Sequence, residues 1–145
     1  MDYRAFAQSI RKLFMLKHTL FSGFDSSPEN RGLNKTQERV LMMAWHHEGV
    51  PMRFLSRQAG MEKGSLTTVI DSLEAKGFVR RMQDTEDKRS YIIHATDEGA
   101  LLAQDIERRF LKHLEQLLSP LTETQQEEFK TAADAIGKYL SILGE

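Results

Sequence analysis

Residues 52–99 read MRFLSRQAGMEKGSLTTVIDSLEAKGFVRRMQDTEDKRSYIIHATDEG. Met52, Leu55 and Ala59 recur at three- and four-residue steps and stop at Gly60, the pattern of a short helix closed by a turn. From about Lys63 to Lys76, Leu66, Val69, Ile70 and Leu73 fall on one narrow stripe at about 100° per residue, with Gly77 as the stop. Gly64, Thr68, Asp71 and Ala75 point the other way, flanked by Ser65, Thr67 and Ser72. Two β-prone runs follow, Phe78 to Met82 and Tyr91 to Ala95, joined by Gln83 to Ser90, of which five are charged. Helix, turn, helix and charged-tip hairpin, in that order, spell a winged helix-turn-helix.

The second helix exposes only short polar side chains. That lets its axis lie close to base edges in a major groove, where Ser65, Thr67 and Thr68 reach bases or phosphates and a threonine methyl touches a thymine methyl. The hairpin tip is too charged for a core and is free to reach an adjacent minor groove. Asp87, two residues before Arg89, is expected to hold its guanidinium in a fixed pose, and an arginine so presented suits the negative potential of a narrow minor groove. Arg53, Lys63, Arg80, Arg81 and Lys88 supply further cations beside this face, and Gly64 and Asp71 lie on it. Taken singly, the helix face reads sooner as solvated surface, and the tip as an ordinary charged turn.

Working outward, Phe6, Ile10, Leu13, Phe14 and Leu20 make a helical stripe between Asp2 and Phe21. A loop signature follows in Gly23, Ser26, Ser27, Pro28, Asn30 and Gly32. Asn34 is suited to cap a second helix with Val40, Leu41, Ala44 and Trp45 on its core face, ended by Gly49, and Pro51 suits the first turn of the third. Beyond the hairpin, Thr96 caps a long helix carrying Leu102, Ile106, Phe110, Leu114, Leu117 and Leu118, interrupted at Pro120. Thr122 with Gln125 forms a capping-box pattern for a last helix. Three apolar stripes at the chain ends exceed what one small head covers, which predicts helical pairing with a second copy. The expected architecture is mainly α with a small β-hairpin wing: one chain, 1–145, with a winged helix-turn-helix region over 33–96 and dimerisation helices over 1–21 and 97–145.

The chain's 145 residues and 40% hydrophobic content suit one globular domain. No apolar run approaches the roughly 18 residues that span a bilayer and the first residues are charged, so no membrane partner and a cytoplasmic location, nucleoid-associated through DNA, are expected. With no cysteine, disulfides, thiolate zinc sites and thiol redox switches are excluded. The net charge of −1 divides as +2 over 1–52, +2 over 53–94 and −5 over 95–145. A locally basic face therefore coexists with an acidic end, beyond a Debye length of about 8 Å. Adjacent His46 and His47 point about 100° apart on a helix, and no histidine pair has i, i+4 spacing, so no metal or other cofactor is expected. No Ser-His-Asp arrangement, phosphate loop or paired-carboxylate helix suggests an enzyme.

The run of Gln37 with Val40-Leu41, Pro51 to Gly60, Ser65 to Arg81, Asp84, Asp87 to Ser90 and Ala95 to Gly99 resembles the MarR family of bacterial transcriptional regulators in order and spacing. The resemblance covers nearly the whole chain. It implies a triangular homodimer with two winged lobes on a pseudo-palindromic operator in double-stranded DNA, commonly a repressor released by a small ligand. By that likeness Ser65, Thr67 and Thr68 lie in the major groove, Asp87 orients Arg89, and Arg89 enters the minor groove. Gly64 departs from the serine that many members carry there. The likeness also implies an effector pocket between dimer helices and DNA lobe, drawing on Phe14, His18, Phe21, Leu41 and Trp45, for a small aromatic or amphipathic effector. The family's zinc-responsive branch carries a histidine where this chain has Arg39. A winged-helix protein-interaction module without specific DNA binding stays open as the alternative, although a protein-binding helix should expose apolar anchors.

Overall fold

Four helix starts are set by side chains, those of Asp2, Asn34, Thr96 and Thr122, that satisfy otherwise orphaned N–H groups. In the computed structural model, which describes residues 1–27 and 30–143 with Lys63 by its backbone alone, Asp2 opens α1 (Tyr3–Phe21) by accepting the N–H groups of Arg4 and Ala5 at 3.0 and 3.2 Å. Pro28 of the loop signature and residues 144–145 lie outside the described residues. Asn34 opens α2 (Lys35–His46) in a reciprocal box: its Oδ1 accepts the Gln37 N–H and its own N–H donates to Gln37 Oε1, both at 2.9 Å. After α2 come β1 (Val50–Pro51), α3 (Met52–Ala59), α4 (Lys63–Ala75), β2 (Val79–Gln83), β3 (Tyr91–Ala95), α5 (Asp97–Leu118) and α6 (Glu123–Leu143).

The strands form one antiparallel sheet in the order β1-β3-β2, with Val50 opposite Ile93 and Val79 opposite Ala95. The hairpin is therefore joined by a third strand that the sequence reading did not contain. Two residues are too few to show a period, and Pro51 reads as a helix start, a place it also takes as the N-cap of α3.

The chain divides into two compact units. In the first, Asp25–Phe110, Leu41, Leu55, Leu66, Ile70, Leu73 and Ile93 are fully buried and hold α2, α3 and α4 against the sheet. Gln37, itself buried, donates from its amide to Ser72 Oγ at 2.9 Å, so the residue that caps α2 also ties it to α4. The unit that holds the winged region continues to Phe110, with Gly99, Leu102, Ala103 and Ile106 of α5 buried in it. Thr96 starts α5, its Oγ1 accepting the Gly99 N–H at 3.0 Å. Gly99 is obligatory there: a Cβ would run into the Phe78 carbonyl.

The second unit, Met1–Phe24 with Leu111–Glu145, contains α1, the rest of α5 and α6. His113 Nε2 meets the Leu20 carbonyl at 2.9 Å, and the expected Thr122–Gln125 box opens α6, at 2.9 and 3.3 Å. Neither α1 nor α6 contains a buried residue. Tyr3, Phe14, Met15, Tyr139, Leu140 and Leu143 are all exposed.

Candidate nucleic-acid interface

Gly60 makes the turn between α3 and α4 in the left-handed region, φ +62°, where a side chain would strain the backbone. Its N–H caps α3 on the Arg57 and Ser56 carbonyls, and Ser56 Oγ closes the turn on the Met61 carbonyl at 2.7 Å. The turn aims α4, about 20 Å of helix, with Leu66, Ile70 and Leu73 inward and Gly64, Ser65, Thr68, Asp71 and Ala75 exposed. Thr67 is half-buried. Thr68 spends its hydroxyl proton on the Gly64 carbonyl at 3.3 Å, which leaves its oxygen as an acceptor toward the outside. Lys63 begins α4, and its side chain lies outside the described residues.

The wing tip is built by short carboxylate-to-backbone bonds. Buried Asp84 donates its N–H to the Ser90 carbonyl at 3.0 Å, and its Oδ1 accepts the Glu86 N–H at 2.9 Å. Asp87 Oδ1 accepts the Arg89 N–H at 3.0 Å, its carbonyl accepts the Ser90 N–H at 2.8 Å, and Gln83 donates its amide to the Lys88 carbonyl at 2.6 Å. Asp87 was expected to hold the Arg89 guanidinium; instead it holds the backbone. An aspartate two residues ahead reaches an N–H in an Asx turn more directly than it reaches the end of a long side chain. The tip is fixed while the exposed Arg89 and Lys88 side chains make no ion pair among the described residues.

Met52, Arg53, Ser56, Thr67, Arg81, Asp87, Arg89, Ser90 and Tyr91 line a single groove of about 530 Å³ where α3, α4 and the wing meet. Arg53, Thr67, Arg81, Asp87 and Arg89, expected on the DNA face, are thus brought together. Strand alternation separates the neighbouring arginines: Arg81 shares the side of buried Val79, whereas Arg80, exposed, faces the opposite side and is not in the groove. Arg81 is also engaged, its guanidinium bonded to Asp71 and 3.8 Å from Glu74, and its backbone N–H donated to Glu74 Oε2 at 3.0 Å. Sequence reasoning treated Arg81 and Asp71 as independent surface groups and missed Glu74, Ser56, Ser90 and Tyr91. The available signal was the i, i+3 pair Asp71 and Glu74, which puts two carboxylates on one helix side facing a strand with paired arginines.

Of the residues expected at an effector pocket, Phe14, His18 and Phe21 stand exposed on α1 in one unit and Leu41 and Trp45 stand on α2 in the other. Leu41 is a fully buried core residue; Trp45 is half-buried with its ring 4.6 Å from that of His46. His46 Nε2 faces Glu107 at 3.5 Å. Among the described residues no group of three or more histidines and carboxylates is placed to hold a metal, and no helix is long and apolar enough to cross a membrane.

With this geometry in place, comparison with known proteins gives a consistent result. The model of the MarR family matches residues 33–91, which span α2, the helix-turn-helix and the wing as far as the start of β3. The chain is 32% identical over 68 residues, 47% of its length and 46% of the relative's, to the organic hydroperoxide resistance transcriptional regulator of Bacillus subtilis (strain 168). It is 34% identical over 119 residues, 79% of its length and 66% of the relative's, to the HTH-type transcriptional repressor YetL of the same organism. Matches to the first of the curated relatives span about half of those proteins' length. A crystal structure of Streptococcus pneumoniae FabT in complex with DNA shares the fold at a TM-score of 0.64, with 17% identity over 98% of this chain and 99% of that one.

Proposed function

The chain belongs to the MarR family, and from that premise and the geometry of its winged lobe we propose that it is a sequence-specific DNA-binding transcriptional regulator that acts as a homodimer. The carrying observation is the groove that gathers Arg53, Thr67 and Arg89 between an α4 of short exposed side chains and a wing tip pinned by Asp84 and Asp87. In this reading Ser65, Thr67 and Thr68 of α4 meet base edges in the major groove, Gly64 and Asp71 lie beside them, and Arg89 enters the minor groove. Arg53, Lys63, Arg80 and Lys88 neutralise phosphates on either side. The chemistry is binding, not catalysis.

A second copy of the chain is supported by α1 and α6, which bury none of their residues while exposing Tyr3, Phe14, Tyr139, Leu140 and Leu143. Pairing through that unit sets two α4 helices onto successive major grooves, about 34–36 Å apart for half-sites one turn apart, and calls for a pseudo-palindromic operator. Repression fits the relatives' names, YetL among them, and release by a small aromatic or amphipathic effector follows the family pattern. A ligand that prefers the non-binding arrangement by about 3 kcal/mol lowers occupancy roughly a hundredfold. The cytoplasm is the proposed location. Titrating the protein with DNA from upstream of its own coding sequence tests the reading: preference over an unrelated duplex supports it, and equal, salt-labile binding to both overturns it.

A further inference from the structure

We propose that Arg81 is a positioning residue rather than a phosphate contact: with Asp71 and Glu74 it sets the angle between α4 and the wing, and through that angle the protein's discrimination between DNA sequences. The inference rests on the DNA-binding reading above. Three attachments converge on one residue. The guanidinium bonds Asp71, the same guanidinium stands 3.8 Å from Glu74, and the Arg81 N–H donates to Glu74 Oε2 at 3.0 Å. β2 is the edge strand of the sheet, so an outward N–H on it has no ladder partner, and Glu74 provides one. One residue thus ties the edge of the wing to α4 by both its backbone and its side chain.

Exposure and charge support the assignment. The Arg81 side chain is 26% exposed, against 57% for Asp71 and 41% for Glu74, so the cation is tucked beneath the carboxylates. The Arg81 guanidinium is bonded to one carboxylate and has a second at 3.8 Å, so its charge is already compensated, whereas Lys88 and Arg89, exposed at the tip, make no ion pair among the described residues. The pairing also solves a problem of the helix itself. Two carboxylates on a DNA-facing helix repel phosphates, and one buried-side arginine between them reduces the trio to a single negative charge. A wing held at a fixed angle places Arg89 at one depth relative to α4, so only DNA whose two grooves match that geometry is bound with both contacts in place.

The test separates positioning from charge by its sign. Arg81→Gln, Arg81→Lys, Asp71→Asn and Glu74→Gln are titrated against operator and against an unrelated duplex from 50 to 200 mM salt, with circular dichroism to confirm folding. Positioning predicts that all four lower the operator-to-unrelated affinity ratio about tenfold, that Arg81→Gln leaves the salt slope of the unrelated duplex unchanged, and that Arg81→Gln with Asp71→Asn costs no more than either alone. Arg81→Lys keeps the charge yet loses the two-carboxylate bridge, so it separates the readings even where Arg81→Gln fails to fold. A phosphate contact predicts the opposite pattern. Arg81→Gln then lowers both affinities equally and cuts the slope by about 0.9 per protomer, while Asp71→Asn, which removes a negative charge, tightens both. Amide hydrogen exchange in the free protein supplies a readout independent of DNA: exchange in residues 82–92 accelerates in Asp71→Asn with Glu74→Gln. If the wild-type chain has no sequence preference, the DNA-binding reading fails while exchange still judges the tether; unchanged exchange overturns the tether itself.

Discussion

Replacing Arg89 by Gln isolates the wing's cation from its architecture. Every bond that shapes the tip uses backbone groups of residues 88–90 or the side chains of Gln83, Asp84 and Asp87, and the Arg89 N–H that Asp87 accepts at 3.0 Å survives the substitution. What is lost is one positive charge and one long donor per protomer. An arginine in the minor groove also displaces condensed counterions, so each lost cation lowers the slope of log K against log salt by about 0.9, about 1.8 for a dimer, and over a fourfold rise in salt the gap between wild type and variant narrows about twelvefold. The affinity penalty at fixed salt is about 1–3 kcal/mol per wing, so at least ~2 kcal/mol and some thirtyfold for two. Fluorescence anisotropy with a labelled operator duplex at 50, 100 and 200 mM salt reads both quantities. Lys130→Gln serves as the control, because that lysine pairs with Asp134 on α6 in the other unit. An Arg89→Gln protein with wild-type affinity and wild-type slope would refute the placement of the wing on DNA.

Four further outcomes are expected. Gln37→Leu deletes both the N-cap partner of α2 and the bond to Ser72, a cost of about 2 kcal/mol and a fall of about 4–8 °C in Tm by thermal melting. Gly49→Ala places a side chain at φ +113° with its Cβ against the His94 imidazole, for a cost of about 1–3 kcal/mol from the backbone alone; adding His94→Ala relieves the contact and recovers only part of the lost Tm, whereas full recovery would assign the strain to the ring. Leu140→Glu with Leu143→Glu is expected to convert a species of twice the chain mass into a monomer in sedimentation velocity while the winged lobe keeps its helicity; an unchanged mass would remove α6 from the dimer interface. The Asp134 carboxylate, by hydrogen bond and charge, and Glu127 by charge hold the Lys130 ammonium above its usual 10.5. Its contribution to α6 is therefore complete below that value and lost as pH rises through the higher folded value, so an alkaline melt of Asp134→Asn should show a smaller helicity loss than wild type in that window.

The elements with local signals were legible before any coordinates. Asn34 and Gln37 stand at capping-box spacing, Thr122 and Gln125 repeat it, Gly60 and Gly77 stop two helices at positive φ, and the Leu66, Ile70 and Leu73 stripe is buried as its period demanded. What stayed hidden depends on pairs distant in sequence. β1 is two residues long and exists only because Val50 finds Ile93 on β3. The first half of α5 looks like any amphipathic helix until Gly99 is seen against Phe78. At the candidate site, residue types were readable and their bonds were not. Arg80 and Arg81 are neighbours of identical chemistry, and strand alternation alone sends one outward and the other to Asp71 and Glu74. The Asp87–Arg89 relation was visible as a spacing, but whether the carboxylate meets the side chain or the backbone depends on the turn conformation.

α3, α4 and the wing line one groove that carries Arg53, Arg81 and Arg89 in a lobe whose core α5 completes, and the other unit exposes the apolar faces that a second copy would cover. We propose that this arrangement reads sequence and does more than attract phosphates. The most direct measurement is an anisotropy titration of the purified chain against DNA from upstream of its own coding sequence at ~150–200 mM salt, with an unrelated duplex as competitor. Tight binding that survives excess competitor is expected, with a preference of at least about a thousandfold, as specific protein–DNA complexes show. Weak binding that competitor abolishes and ~200 mM salt erases would contradict it and favour a winged-helix module that binds another protein.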